Sequence, residues 1–471
     1  MLFNSIEFLI FIIFVFFVHW YIISANFKSQ NSFLLIMSLV FYSAWDYRFL
    51  LLIIFSTIID FFLGIRIEKS KTNKKFFLIL SISINLGLLI IFKYFNFFID
   101  SFENMFSLIG FNNSFVTLNI ILPVGISFYT FQTLSYSIDI YRGDLKPTKD
   151  LVKFATYVTF FPQLVAGPIE RAGKILPQLS EKRIFDRVKA EEGLRKILIG
   201  FFKKIVIADS LAPIVENIFS NYNEFSTIVL LMGLLFFSFQ IYCDFSGYSD
   251  IAVGLAKLLG IDLMENFNFP YFAINIGEFW KRWHISLTNW FRDYLYIPIG
   301  GSKNSFLLSL RNLSIVFLLS GLWHGANWNY IFWGLIHIIF YIPHFIKRKF
   351  SNSQLFFLKI KNRLLSTILT YLIVTLSWVF FRSNSISDAF KYIFKIFTLE
   401  KGEINILNPA NNLSAYYYII YIVIFIMVDK YFSLNRNETI VQKRIINLLL
   451  VLVILFFAPM NQSDSFIYFQ F

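Results

Sequence analysis

Residues 305–346 read SFLLSLRNLSIVFLLSGLWHGANWNYIFWGLIHIIFYIPHFI, and this stretch decides the fold class. It holds two apolar runs, 305–320 and 328–346, on either side of a short polar break that carries His324. A membrane-spanning helix needs about 20 mostly apolar residues, and fewer where helices are short or broken. Small residues in the break allow two helix backbones to approach closely. The stretch therefore predicts two membrane-spanning helices with His324 at a helix break.

The composition extends this prediction to the whole chain of 471 residues. Hydrophobic residues make up 57% of the sequence, aromatic residues 20% and charged residues only 15%. Because soluble domains carry about 25% charged residues, these values exclude a water-soluble enzyme, a disordered chain, a collagen and a disulfide scaffold. The apolar runs are continuous and do not alternate with polar residues, which argues against a membrane β-barrel. We predict an all-α polytopic membrane protein with one domain over residues 1–471.

Apolar runs recur along the chain and predict roughly 11–13 transmembrane helices. No internal repeat of the kind found in two-fold transporters is apparent. The candidate spans are about 5–25, 31–43, 49–64, 76–98, 119–141, 196–219, 227–243, 305–320, 328–346, 364–381, 415–429 and 445–459.

The net charge of +13 is read as a topology signal and not as a sign of nucleic-acid binding, because the basic residues cluster between apolar runs. Four basic loops are expected on the cytoplasmic side of a lipid bilayer. They contain Arg66, Lys69, Lys71, Lys74 and Lys75; Arg171, Lys174, Lys182, Arg183, Arg187, Lys189, Arg195 and Lys196; Lys347, Arg348, Lys349, Lys359, Lys361 and Arg363; and Lys430, Arg436, Lys443 and Arg444.

Connections poor in Lys and Arg are expected to face outward, and both termini with them. These connections are 99–118, 220–226 and the tail 460–471. Residues 382–414 belong on the same side by this count but carry four basic residues. The apolar pattern from Ala389 to Phe397 predicts a helix that lies in the membrane interface. The first apolar run follows Glu7 without a basic segment, so no cleavable signal is expected.

Residues 240–304 form a polar island that also contains Trp280, Trp283 and Trp290. Polar or irregular chain at membrane depth is tolerated only where it is buried in protein or lines a cavity. We therefore expect short or re-entrant helices around a hydrated site. The alternative for the tryptophans is an amphipathic surface helix anchored at the lipid headgroups.

The five histidines fall into two groups. His19, His337 and His344 have the pattern of packed or interfacial residues. By the charge count, His284 lies toward the cytoplasmic side and His324 toward the outer side. Together they predict a polar path across the membrane with one imidazole near each mouth. Histidine is the side chain suited to removing a hydroxyl proton at neutral pH.

Other reactive groups are scarce in the sequence. Cys243 is the single cysteine, which allows neither an intramolecular disulfide nor a thiolate metal cluster. The histidines lack metal-ligand spacing, so no metal is expected. A nucleophile elbow and a phosphate-binding loop are both absent.

Several ordered motifs resemble one family, the membrane-bound O-acyltransferases, and within it the bacterial branch that contains the alginate O-acetyltransferase membrane subunit. The resemblance runs through nearly the whole chain. The matching segments are FFPQLVAGPI (160–169), YCDFSGYSD (242–250), NFNFPY (266–271), EFWKRWHISL (278–287), WFRDYLYIPIGG (290–301), WHGANW (323–328) and the ending FIYFQF (466–471).

The resemblance implies a helical fold with a tunnel, and transfer of an acyl group from a cytoplasmic thioester, acetyl-CoA or another donor, to a hydroxyl outside. No permanently bound cofactor is implied. The family's near-invariant histidine maps onto His324, the expected base, and its second active-site position maps onto His284. His284 would position the thioester or polarise its carbonyl. Asn327, Tyr248 and Trp323 are candidate substrate-binding residues.

Three basic residues are candidates for contact with the phosphates of coenzyme A or of a carrier's phosphopantetheine: Arg282, Lys281 and Arg292. Juxtamembrane charges that only set topology are the alternative for each. The resemblance further implies a multi-pass protein of the bacterial inner membrane. Its expected partners are an extracytoplasmic hydrolase-like protein and the polysaccharide machinery.

Other functions remain open from the sequence alone. One alternative is D-alanyl transfer to teichoic acid from a carrier protein, as in a related branch. A second is a transporter or flippase for an envelope intermediate, since intramembrane polar residues suit transport as well. A third is a catalytically silent scaffold for a polysaccharide machine.

Overall fold

The computed structural model describes residues 1, 3–23, 26–111, 117–118, 120–165, 167–303, 305–349, 362–409, 413–434 and 440–458. Within these residues every regular element is helical, and β structure is limited to the isolated bridges Phe225–Glu403 and Leu407–Ser414. The all-α prediction is therefore confirmed.

The α-helices are numbered in chain order. They are α1 (Ile6–Phe17), α2 (Phe27–Ser43), α3 (Arg48–Lys69), α4 (Lys74–Leu89), α5 (Phe95–Leu108), α6 (Ile126–Arg142), α7 (Leu151–Thr159), α8 (Phe161–Leu164), α9 (Ala172–Gln178), α10 (Arg187–Phe201), α11 (Asp209–Ser220), α12 (Thr227–Leu258), α13 (Ile276–Arg282), α14 (Ile285–Phe291), α15 (Phe306–His324), α16 (Trp328–Lys349), α17 (Arg363–Arg382), α18 (Ile386–Phe397), α19 (Tyr418–Leu434) and α20 (Ile440–Phe457).

Wider π-helical turns extend or link some of these helices, at Val18–Ile22, Ile90–Tyr94, Phe202–Ala208 and Arg292–Tyr296. The described chain forms two compact units, one of residues 1–194 and 252–264, the other of residues 195–251 and 265–471. Each is considered by itself below. The assignment of residues 1–471 to one acyltransferase domain stays a prediction.

In the first unit, α3, α4 and α6 surround a buried polar cluster. Asp60 accepts hydrogen bonds from Ser81 Oγ (2.6 Å) and Asn85 Nδ2 (2.8 Å). Thr133 Oγ1 donates to Asn85 Oδ1 at 3.0 Å. Because each buried polar group has a partner, these helices can bury polar side chains within an otherwise apolar unit.

In the second unit, α15 and α16 pack closely against each other, as the small residues between the two apolar runs predict. A Cβ atom on Gly321 would overlap the carbonyl of Tyr330, and one on Gly334 would overlap the carbonyl of Phe317. The absence of side chains at both positions therefore sets how near the two backbones lie. This contact holds the end of α15, and with it His324, against α16.

By length and composition, seven helices in the described part of the chain can cross a membrane. They are Arg48–Lys69, Lys74–Leu108, Thr227–Leu258, Phe306–His324, Trp328–Ile346, Arg363–Arg382 and Ala415–Ser433, and the shorter apolar helices Ile6–Ile22 and Arg444–Phe457 accompany them.

The predicted number of 11–13 crossings is larger because it also counted shorter apolar runs. Three of those runs differ from continuous spans in the structure. The run 31–43 lies in the 17-residue α2, and the run 119–141 becomes helical only from Ile126. The run 196–219 is interrupted by π-helical turns at Phe202–Ala208, where Lys204 enters the interior.

The predicted interfacial helix is present as α18. It exposes Phe390, Phe394 and Phe397 along one stripe and buries Ala389 and Tyr392 on the opposite face. Its position in a membrane interface stays a prediction.

Some of the topology predictions fall on residues that the structure does not describe. The tail 460–471, Lys359, Lys361 and Arg436 lie outside the described residues, as do the side chains of Lys347, Arg348, Lys349 and Lys443.

Candidate active site

The polar island folds in two ways: residues 240–258 continue the long helix α12, and only the part from Pro270 onward forms the short helices that its composition predicts. The helices α13 and α14 have seven residues each, and Asn275 caps α13 by accepting a hydrogen bond from the Glu278 backbone N–H at 2.9 Å. Trp280, Trp283 and Trp290 are all buried. The alternative of a surface helix anchored by these tryptophans is therefore wrong, because their indoles pack inside the second unit.

His284 lies at the junction of α13 and α14 and is 1% exposed. Its backbone is left-handed, with φ 42° and ψ 56°, which separates the two helices by a sharp turn. The ring meets Phe245 edge-on at 4.7 Å between centroids, and its Nδ1 lies 3.1 Å from Asn266 Oδ1. Burial lowers the pKa of the His284 imidazole to about 3, so the ring is neutral at pH 7.

His324 is the last residue of α15 and is 2% exposed. Its imidazole is enclosed by aromatic rings, with centroids 5.2 Å from Trp333 and 5.4 Å from Phe381. Gly325 follows in an extended conformation and ends the helix, and a Cβ atom there would overlap the Tyr330 ring. Gly325 therefore both ends the helix after His324 and leaves space for the Tyr330 ring.

The structure brings the two histidines together. The Trp323 indole contacts both imidazoles, with centroids 5.7 Å from His284 and 5.1 Å from His324. The expected arrangement, with one imidazole near each mouth of a path across the membrane, stays a prediction. Both rings are buried because α13 and α14 fold inward and carry His284 to the end of α15.

Of the four candidate substrate-binding residues, Trp323 contacts both imidazoles. Tyr248 is buried on α12, where its ring lies 5.3 Å from Lys204 Nζ, within an ionic cluster. Asn327 is exposed, and its Oδ1 accepts a hydrogen bond from the Asn329 backbone N–H at 2.9 Å at the start of α16. Arg282 pairs with Glu278 at 2.5 Å and donates to the Phe269 carbonyl at 3.3 Å. None of these contacts of the last three involves His284 or His324, and their role in substrate binding stays a prediction.

A cavity of about 480 Å³ adjoins the segments that carry the two histidines, although neither imidazole lines it. Ile285, which follows His284, and Ser320, one turn before His324, both contribute to its wall. Lys281 and Arg292 line the same cavity, and Arg292 also pairs with Asp293 at 2.7 Å. The cavity thus joins a mostly apolar wall to cationic groups, a combination that suits a molecule with an apolar arm and an anionic end.

Two features near this site, Asn266 and a buried ion triad, were not predicted from the sequence. Asn266 lies in the NFNFPY motif, yet nothing local in the sequence pairs it with His284, 18 residues later. In the ion triad, Lys204 Nζ lies 2.7 Å from Asp209 and 2.8 Å from Asp244. A charge inside an apolar run was the available signal for Lys204, since an intramembrane lysine is costly without a partner.

Comparison with known proteins agrees with this geometry. The model of the membrane-bound O-acyltransferase family, MBOAT, matches residues 145–381, which include both His284 and His324. A protein named "Probable alginate O-acetylase AlgI" from Pseudomonas aeruginosa is 39% identical over 414 residues, covering 87% of this chain and 78% of the relative. The peptidoglycan O-acetyltransferase of Helicobacter pylori is 35% identical, covering 83% of this chain and 79% of the relative.

A more distant match is the teichoic acid D-alanyltransferase of Bacillus subtilis, 32% identical over 235 residues, which cover 47% of this chain and 58% of the relative. All these relatives are named for transfer of an acyl group. With a family model over half of its length and close relatives over most of it, the chain belongs to the membrane-bound O-acyltransferase family and is an acyltransferase.

Proposed function

We propose that this protein transfers an acetyl group from a cytoplasmic thioester, acetyl-CoA, across the inner membrane for O-acetylation of a cell-surface or extracellular polysaccharide. The observation that carries the proposal is the burial of His284 and His324 in contact with one indole, on segments that also line a cavity with Lys281 and Arg292. An extracytoplasmic hydrolase-like partner is proposed to receive the acetyl group, so that the immediate acceptor is a sugar hydroxyl or a serine of that partner.

The chemistry needs a base for the acceptor hydroxyl, stabilisation of the oxyanion and exclusion of water. We assign the base to His324. The hydroxyl O–H bond breaks as its proton passes to the imidazole, and the oxygen attacks the thioester carbonyl. The C–S bond then breaks, and the departing thiolate takes the proton from the imidazolium and leaves as a thiol. Because the thioester is already activated, the reaction consumes no ATP.

The cavity is the proposed donor site. Its apolar wall suits the pantetheine arm, and Lys281 and Arg292 suit phosphate groups. Arg282 is left out of this role because it does not line the cavity.

The test is reconstitution of the protein in liposomes with acetyl-labelled coenzyme A and candidate acceptors, a polysaccharide oligomer and the hydrolase-like partner. Wild-type protein is expected to transfer label, and His324→Ala to lower turnover by about 10²- to 10⁴-fold. His19→Gln is the matched control, because His19 is another buried histidine, located in the first unit. Full transfer by His324→Ala would remove the assignment of the base.

D-alanyl transfer from a carrier protein is the second candidate, favoured by the match to a teichoic acid D-alanyltransferase. The larger coverage of the O-acetylating relatives favours acetyl transfer. A parallel reaction with D-alanyl-loaded carrier protein separates the two donors. A transporter would move an intermediate without His324-dependent thioester cleavage, and a scaffold would leave surface acetylation unchanged in His324→Ala.

A further inference from the structure

We infer that Asn266 is a positioning residue that holds His284 in its Nδ1–H tautomer, so that Nε2 of His284 receives a hydrogen bond from the bound substrate and cannot donate one to the thioester carbonyl. The inference rests on the proposed function and assigns His284 to positioning the donor. An amide N–H of the pantetheine arm is the kind of group that Nε2 would hold.

The orientation of the Asn266 side chain follows from its contact with Ser286. The backbone N–H of Ser286 lies 3.2 Å from Asn266 Oδ1, and Ser286 Oγ lies 2.9 Å from the same atom. A backbone N–H can only donate a hydrogen bond. An inverted amide would turn its NH₂ group toward that N–H, so the atom that faces Ser286 must be the oxygen.

The tautomer of His284 follows from this orientation. Nδ1 lies 3.1 Å from Asn266 Oδ1, and an amide oxygen only accepts hydrogen bonds. Nδ1 must therefore carry the hydrogen. In a neutral imidazole the other nitrogen then has a lone pair and no hydrogen, and burial in this site favours the neutral ring.

Backbone hydrogen bonds fix the position of Asn266 relative to His284. The Ile285 N–H donates to the Asn266 carbonyl at 2.9 Å, and the Asn268 N–H donates to the Arg282 carbonyl at 2.9 Å. His284 itself has a positive φ of 42°, a conformation that non-glycine residues seldom adopt and that is concentrated at functional sites. The segment around Asn266 thus holds the turn on both sides of His284.

Nε2 of His284 is buried and has no hydrogen-bond partner among the residues that the structure describes. The groups around the ring are the Phe245 ring, the Trp323 indole and the side chains of Asn266 and Ser286. Because a buried polar atom without a partner is costly, this nitrogen is a site where a ligand N–H or O–H would be bound. Polarisation of the carbonyl must then come from another donor.

The direct test is the ¹⁵N spectrum of protein labelled at histidine, with His284→Gln used to assign the His284 signals. In the wild type we expect protonated Nδ1 and unprotonated Nε2. Asn266→Asp keeps an oxygen acceptor and should keep this tautomer, whereas Asn266→Leu should lose it. Asn31→Leu is the control, because Asn31 is an equally buried asparagine in the first unit and its replacement leaves the His284 signals unchanged.

Activity provides the second measurement. We expect Asn266→Leu to lower kcat by about 10- to 100-fold, the usual effect of removing a group that orients an active-site ligand. In Asn266→Asp the carboxylate raises the pKa of the imidazole, so neutral His284 is lost at a higher pH and the acid limb of kcat moves upward. A structural role alone would not move that limb.

A protonated Nε2 in the wild type would overturn the inference, as would an Asn266→Leu variant with the wild-type tautomer and rate. If Asn266→Leu does not fold, the wild-type spectrum still decides the tautomer. Failure of the proposed function is a separate result, because absence of acetyl transfer in every variant leaves the tautomer measurement valid.

Discussion

Two clusters of buried polar side chains in the second unit, the Lys204 triad and the pair of histidines, differ in how their burial is compensated. Lys204 shares its positive charge between Asp209 and Asp244, with Nζ within 2.8 Å of both carboxylates. His284 and His324 are similarly buried but lie among aromatic rings.

The difference teaches what each group is able to do. In the triad, the charges are occupied with one another, and breaking one pair would leave a charge buried without compensation. In the histidine site, burial keeps the His284 ring neutral, and its Nε2 keeps its capacity to bind a ligand. The triad therefore serves packing of α12 and α11, whereas the histidine site is where we propose that the chemistry takes place.

The largest expected effect on activity separates chemistry from stability. His324→Gln should lower turnover by about 10²- to 10⁴-fold, while the free energy of unfolding should fall by about 0.5–3 kcal/mol, the range of most single substitutions. Labelled acetyl transfer and a thermal melt in detergent measure the two quantities on one preparation. If the loss of acetyl transfer is explained by unfolding of the variant, the distinction between the histidine site and the triad is wrong.

The triad should show the reverse result. Lys204→Met leaves two buried carboxylates without their cation and should destabilise the protein by about 3–5 kcal/mol. Lys257→Met is the control, because Lys257 pairs at 2.7 Å with Glu192, which is 51% exposed, and exposed pairs contribute about 0–1 kcal/mol. A thermal melt and gel filtration of both variants measure the difference. Similar stability of the two variants would contradict the proposal that the triad stabilises the packing of α12 and α11.

The smallest effect concerns the basic residues around the cavity. Lys281 lines the cavity and Arg282 does not. Lys281→Gln should therefore raise KM for acetyl-CoA by about fivefold, as expected for a partly exposed charge contact, and the increase should shrink at high salt. Arg282→Gln should change KM less. If steady-state kinetics show a larger increase in KM for Arg282→Gln than for Lys281→Gln, Arg282 and not Lys281 would be the residue that binds the donor phosphates.

Much of the helical framework is predictable from local pattern. The runs 305–320 and 328–346 correspond to α15 and α16, and the apolar pattern from Ala389 to Phe397 corresponds to α18. These predictions succeed because apolar length and helical period are properties of contiguous residues. The run 196–219 fails as one continuous span because buried charge at Lys204 and π-helical turns interrupt it.

The candidate site was only partly predictable. His284 and His324 were singled out by their polar, aromatic surroundings, and Trp323 by its motif, and the structure places all three together. Tyr248, Asn327 and Arg282 were chosen for the same kind of reason, and the structure shows them in contact with Lys204, Asn329 and Glu278 respectively. A motif identifies which residues are unusual, but it does not say which neighbours their side chains meet.

The sequence by itself determined a helical membrane protein with a polar, histidine-bearing interior, because composition and apolar run length depend only on the order of residues. Tertiary structure alone decided that the two imidazoles share one indole, that Asn266 faces His284, and that Lys204 meets two carboxylates. The physical reason is that hydrogen bonds and ion pairs act over about 3 Å. Residues distant in the chain come within that range only when turns such as the left-handed one at His284 carry them there.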